Sequence, residues 1–309
     1  DPADAEGRAL TPVPRTMTLP ALVAELRAVV TDPAAVPGER AGAATQLARL
    51  AAAGVPGADP ADWYGLAPLS AAGALRPPPT SVRVSPSRVE AFGRCPLRWL
   101  LEQCGGTRPS SAAQGLGTLL HEIAEEVPDG DPGRTGALLD ERFPRLGLGD
   151  GWLADVERAR AERMLAKFAE YVRLARREGR DLLAVERDVE VTVGRAVVRG
   201  QVDRLERDAE GRPVVVDLKT GRSQPTAAEL PRHAQLGVYQ AAVEAGGVDD
   251  LTGGRPSGGG ILVQLGSQTK SVRAQEQPAL SADEDPHWAE TMVREVAEEL
   301  GNTPAVCRA

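Results

Sequence analysis

Residues 214–221 read Val214-Val215-Val216-Asp217-Leu218-Lys219-Thr220-Gly221. Three β-branched residues in a row, closed by a Thr-Gly break, predict a short buried strand. Side chains alternate along a strand, so Asp217 and Lys219 share one face at its end. A carboxylate beside an ammonium in such a place can hold a divalent cation and organise a water next to it. The lysine also stands out by count. The chain has three (Lys167, Lys219, Lys270) against 33 arginines, so a Lys here points to a need for a compact ammonium of adjustable pKa.

Working outward, Asp203 lies in Gly200-Gln201-Val202-Asp203, fourteen positions before Asp217. A meander with a turn centred near Glu210 would pair the two strands antiparallel and set 203 opposite 217. Facing carboxylates repel unless a cation bridges them or one takes a proton. Mg²⁺ favours hard oxygen ligands, and Asp203, Asp217 and the Leu218 backbone carbonyl would supply a partial set. The plainer alternative is that Asp203 pairs with Arg199 or Arg204. His121, in Gly117-Thr118-Leu119-Leu120-His121, is either an ordinary helical histidine or a further metal ligand. Gln235 and Tyr239 are spaced i, i+4 on the next predicted helix and share a face. That face either looks back at the strand end or leaves Gln235 to solvent while Tyr239 packs.

Punctuation along the chain gives the organisation. Residues 1–15 are rich in proline and polar residues, and helices are expected from Thr18-Leu19-Pro20 onward and over 39–53. The run Pro77-Pro78-Pro79 marks a boundary. Residues 1–80 thus read as a helical extension or linker, and 81–309 as the main domain. In the latter, helices are expected over 88–102, from about 114 through His121, and over 153–178. Strands follow at 182–193, 196–206 and 212–219, then a helix at 226–246, a strand at 261–265 and a last helix at 286–300. That order predicts an α/β (α+β) fold, a central mixed sheet flanked by helices with an N-terminal helical extension.

The net charge of −8 argues against a generally basic nucleic-acid coat, though not against a local basic groove. Three cysteines, at 95, 104 and 307, form no disulfide framework and fit a reducing, cytoplasmic setting. There is no signal peptide and no apolar run long enough to span a membrane. The chain lacks an initiator Met and reads as a piece of something longer.

Taken together, G-x-L-x-H at 117–121, G-x-V-D at 200–203, D-x-K-T-G at 217–221 and Q-x-x-x-Y at 235–239 resemble the RecB-like nucleases of the PD-(D/E)XK superfamily, over roughly residues 81–309. The likeness is greatest to the C-terminal nuclease module of actinobacterial UvrD-like, AdnAB-type helicase–nucleases, which Gly54–Leu66 and Ser85–Leu101 also resemble. It implies a restriction-endonuclease-like core. It also implies a Mg²⁺- or Mn²⁺-dependent DNA exonuclease acting on single-stranded DNA in double-strand-break end resection and recombinational repair. Its partners would be DNA, including duplex ends, a helicase motor in the same polypeptide and a partner helicase–nuclease subunit.

By the same resemblance, His121, Asp203 and Asp217 bind metal, Lys219 positions or activates the attacking water, and Gln235 and Tyr239 support the site or the DNA. Some relatives carry an iron–sulfur staple. Cys95 matches its first position and Cys307 the start of its tail, so a longer parent would hold a [4Fe-4S] cluster that this fragment does not assemble. Arg88, Arg94, Arg98 and Arg222 are candidate phosphate contacts. The rival reading is a module of the same fold that grips DNA, or scaffolds a helicase complex, without cutting.

Overall fold

The computed structural model describes residues 18–63, 74, 76–103, 106 and 112–302. They fall into two units, one within residues 1–72 and one within 73–304. In the first, α1 (Leu19–Thr31) starts where Thr18 Oγ1 accepts from Ala21 N–H, with Pro20 in the first turn. It packs with α2 (Pro37–Ala52) through Val23, Leu47, Ala58 and Trp63. The Trp63 indole N–H donates to Gly57 O, and Arg27 stacks 4.8 Å from the ring centroid.

The second unit is built on a six-stranded mixed sheet. Its strands are β1 (Val82–Val84), β2 (Asp181–Val193), β3 (Ala196–Arg207), β4 (Pro213–Lys219), β5 (Gly259–Gln264) and β6 (Ala274–Gln277). The β2–β3–β4 meander expected from the sequence is present, with turns at Gly194 and Gly211, both at positive φ. The short strands β1 and β6 carry too little pattern to announce themselves.

Around the sheet lie α3 (Pro86–Arg94), α4 (Pro96–Gln103), α5 (Ala112–Glu126), α6 (Pro132–Arg142), α7 (Trp152–Arg177), α8 (Ala234–Glu244), the short α9 (Asp249–Thr252) and α10 (Trp288–Asn302). The single helix expected over 88–102 is two. Pro96 disfavours helical backbone at Cys95, which is extended at φ −162°. The helix expected from 226 begins only at Ala234; Pro231 and a Thr226–Glu229 hydrogen-bonded turn occupy the residues before it.

Alternation along β4 divides the core. Val214, Val216 and Leu218 pack with Leu120, Ile123, Phe168 and Tyr171 of α5 and α7 on one face. Val215 packs with Val89, Leu236 and Val293 of α3, α8 and α10 on the other. Asp217 and Lys219 have the parity of Val215, so they point toward the α3/α8 layer.

The sheet forks at β3. Strand β2 runs the whole length of one edge of β3, from Asp181↔Arg207 to Val193↔Ala196. The other edge is shared: β1 takes 196–198 and β4 takes 204–207. Residues 199–203 are left between them with no strand on that side. One step beyond Arg204↔Val216 the same register would set Asp203 opposite Asp217, but there β4 turns away and continues along β5 as far as Lys219↔Gln264.

A buried ionic network braces the meander beside this gap. Glu206, fully buried, accepts from Arg204 Nε (2.6 Å) and Tyr171 OH (2.9 Å) and lies 3.3 Å from Arg180 Nε. Arg204 Nη1 also donates to Pro128 O, just past the end of α5. Removing one partner of a buried ion cluster exposes the desolvation cost of the others. Arg204→Met is therefore expected to lower unfolding free energy by about 3 kcal/mol, read by chemical denaturation.

Candidate metal and phosphodiesterase site

The gap between β1 and β4 is where the sequence-predicted residues meet. Leu218 N–H donates to Asp203 Oδ2 (2.7 Å), so a side-chain carboxylate takes the place of a ladder carbonyl. The other oxygen, Oδ1, lies 3.5 Å from His121 Nδ1 on α5, and Glu186 Oε1 of β2 is 3.8 Å from the same nitrogen. One ligand atom each from His121, Glu186 and Asp203 falls within a 4.8 Å group. Asp203 does not pair with the arginines considered for it: Arg199 bonds Glu190 and Arg204 bonds Glu206.

Asp217 is buried on the far side of the fork. Gln235 Nε2 donates to its Oδ1 (2.6 Å), and Gln235 Oε1 accepts from Lys219 Nζ (2.6 Å). Lys219 Nζ is also 2.7 Å from Asp217 Oδ2, although no donor is aligned on that oxygen. The first residue of the Gln-x-x-x-Tyr pair thus looks onto the strand end. The second reaches the strand on the other side of the gap, where Tyr239 OH donates to Gln201 O (2.6 Å).

The glycines of the motifs are close approaches. A Cβ on Gly200 would meet Pro86 Cδ at 2.9 Å and Tyr239 Cε1 at 3.1 Å, so α3 and α8 could not close over the gap. A Cβ on Gly117 would meet Thr220 Oγ1 at 2.9 Å, which would push His121's helix off the Thr-Gly turn. That turn is pinned by Arg160 Nη2 to Thr220 O (3.1 Å) and by Gly266 N–H to Lys219 O (3.0 Å).

Electrostatics record how crowded the carboxylates are. Burial alone would lower the His121 pKa, yet the adjacent Asp203 and Glu186 hold it up at about 10. Burial pushes the Asp217 carboxyl up to about 6; Lys219 pulls it down and Asp203 adds to the rise. Burial also pushes the Tyr239 phenol up, keeping it a neutral donor. The donor set of His121, Glu186 and Asp203, an imidazole nitrogen and two carboxylates, fits a hard divalent cation, and Asp217, expected as a ligand, falls outside that group.

Glu186 carries no sequence signal, being one of several acids on β2. Its mark is backbone: φ is +45°, the only non-glycine positive φ among the described residues. A residue held in this region costs of order 1–2 kcal/mol, and here it turns the carboxylate toward His121 and Asp203. Of the arginines expected to contact phosphate, Arg94 and Arg98 pair with Glu90 and Glu102 one turn along their own helices. Cys95 is exposed and unbridged at the α3–α4 break, while Cys104 and Cys307 lie outside the described residues.

A family model described as the PD-(D/E)XK nuclease superfamily matches residues 83–307. The chain belongs to the PD-(D/E)XK nuclease superfamily. Its mixed sheet with flanking helices is the restriction-endonuclease-like architecture expected from the sequence. No curated protein matches the chain significantly. Among solved structures, the crystal structure of SSO0001 matches with 18% identity and a TM-score of 0.26, covering 70% of this chain and 89% of that one. No helix among the described residues is long and apolar enough to cross a membrane.

Glu186 offers a test that separates its two costs. Glu186→Gly is expected to gain about 1 kcal/mol of stability, or ~3 °C in Tm, while weakening Mn²⁺ binding at least about tenfold. Calorimetry of unfolding and of Mn²⁺ titration reads both; unchanged Mn²⁺ affinity would remove Glu186 from the site.

Proposed function

We propose that this chain is a Mg²⁺- or Mn²⁺-dependent DNA nuclease module that hydrolyses phosphodiesters of single-stranded DNA as an exonuclease. The observation that carries this reading is the Asp217–Lys219–Gln235 lock at the end of β4, set across the fork from His121, Glu186 and Asp203. The membership in a nuclease superfamily agrees with it.

When bound, a divalent cation supplies charge for the phosphoryl oxygens and lowers the pKa of a nearby water. His121, Asp203 and Glu186 are the residues that would hold it, with Asp217 adjoining. Lys219 then has two tasks that its surroundings equip it for. Gln235 and Asp217 fix its ammonium within hydrogen-bonding distance of two oxygens, so it is preorganised and loses little entropy on meeting a third. From that position it can orient a water for in-line attack and neutralise charge that grows on the phosphate. Gln235 is the positioning residue, because it bonds both Asp217 and Lys219 and so fixes their ion pair at the end of β4. Tyr239 ties α8 to the bare edge of β3 and so fixes the width of the gap.

The wider setting, a helicase–nuclease that resects double-strand breaks beside a partner subunit, rests on the likeness of the motifs and of residues 54–66 and 85–101 to that group. Asp217→Ala and Lys219→Ala are each expected to lower Mg²⁺-dependent cleavage of a labelled single-stranded oligonucleotide by about 10²-fold or more. The fold should survive in both. Cleavage equal to wild type in both variants would overturn the assignment; DNA binding without any cleavage by the wild type would favour a gripping module instead.

A further inference from the structure

Lys167, on the buried face of α7, takes no part in the site described above. It is one of three lysines in the chain and is 5% exposed. An ammonium has three N–H donors, and three acceptors lie within reach of this one. All are on the loop that joins β5 to β6: Leu265 O (3.3 Å), Ser267 O and Ser267 Oγ (2.9 Å). None of the three is a carboxylate. Burial lowers the Lys167 pKa, and Arg163 one turn earlier adds to the effect. A buried charge is costly unless its hydrogen bonds are made, so the ammonium and the loop hold one another in place.

The loop carries that hold to the strand end. Leu265 O and Gly266 N–H belong to one planar peptide group, and Gly266 N–H donates to Lys219 O (3.0 Å). Lys167 therefore bonds one end of the peptide whose other end bonds Lys219, a chain of two hydrogen bonds that polarise each other. A Cβ on Gly266 would run into Thr220 O and Gly221 O, so loop backbone lies on turn backbone with no room for a side chain. The same helix fastens the rest of this region. Glu170 Oε2 accepts from Val272 N–H (2.8 Å) at the far end of the loop. Arg160, two turns before Lys167, donates to Thr220 O (3.1 Å). Helix α7 thus grips the end of β4 twice, directly through Arg160 and through the loop by way of Lys167.

We propose that Lys167 is a positioning residue for Lys219: by fixing the Leu265–Gly266 peptide it sets the Lys219 carbonyl, and with it the place of the Lys219 ammonium at the end of β4. The proposal rests on the nuclease reading above for its reaction, though not for its contacts. Gln235 and Asp217 hold the tip of the Lys219 side chain. Its backbone is the last rung of the β4–β5 ladder, paired with Gln264, and the Gly266 bond lies just past that rung. A shift of about 1 Å at a reacting group can cost about 10²-fold in rate, so a tie made through a neighbouring loop is enough to be felt in kcat. The place also suits a lysine in a chain that otherwise uses arginine, because a compact ammonium can serve acceptors converging from three directions and a planar guanidinium cannot.

The test begins with the metal-free chain, so it does not depend on cleavage. With ¹³C-labelled lysine the three lysines give three Cε signals in an NMR spectrum, and Lys219→Ala assigns the one concerned. Lys167→Met is expected to shift the Lys219 signal. With a labelled single-stranded oligonucleotide and Mg²⁺, the same variant should lower kcat about tenfold and leave KM within about twofold. Added to Lys219→Ala it should cost no further activity, because it acts through that side chain, whereas a merely structural role would multiply the two losses. Ser267→Ala removes one acceptor. It should shift the Lys219 signal less and lower kcat severalfold, even if Lys167→Met folds poorly. An unmoved Lys219 signal in both variants, or a full further loss on the Lys219→Ala background, would overturn the assignment. A wild type that cuts nothing while its Lys219 signal still responds to Lys167→Met would instead overturn the nuclease reading alone.

Discussion

The Leu218 N–H bond to the Asp203 carboxylate is the constraint on which the site depends. A backbone donor at the end of β4 needs an acceptor once β4 has left β3. Because a side chain of β3 provides it, the two strands can part without leaving the donor orphaned. The parting leaves residues 199–203 of β3 without a strand partner on that edge, brings His121 and Glu186 against Asp203, and turns Asp217 and Lys219 toward Gln235. Gly200 and Gly117 then let α8, α3 and α5 approach closely enough to close the gap on both sides.

Five acidic or basic groups meeting in one gap set a problem that the fold solves in two ways. On the inner side, Asp217 and Lys219 neutralise each other and Gln235 bonds both. On the outer side, Asp203 and Glu186 have only His121 between them, and they hold its proton far above the ordinary imidazole range. A divalent cation would replace that proton with a larger charge and satisfy the same oxygens. Binding and catalytic readiness thus follow from one electrostatic imbalance, kept in place by the uncharged brace of Tyr239 and the buried Glu206 cluster.

Much of this was readable in the order of residues. The β-branched runs and the Gly194 and Gly211 turns gave the meander, and equal spacing from its turn gave the register that carries Asp203 to the end of β4, although the ladder itself stops at Arg204↔Val216. The i, i+4 spacing of Gln235 and Tyr239 gave their shared helix. What could not be read has identifiable causes. Strand β1 is three residues long and pairs with a segment more than a hundred residues away, so the fork it creates has no local signature. Glu186 is chosen by an unusual φ rather than by spacing. The break at Cys95 was written in Pro96, whose effect on the preceding residue outweighs the helical pattern around it. Helix α8 starts late because a turn containing Pro231 intervenes.

The central claim, that the fork between β1 and β4 is a cation site, is tested most directly by crystals soaked in Mn²⁺ and measured at the manganese absorption edge. An anomalous peak is expected bounded by His121, Glu186 and Asp203, with Lys219 still held by Gln235. A peak elsewhere, or none in that gap at saturating Mn²⁺, would contradict it.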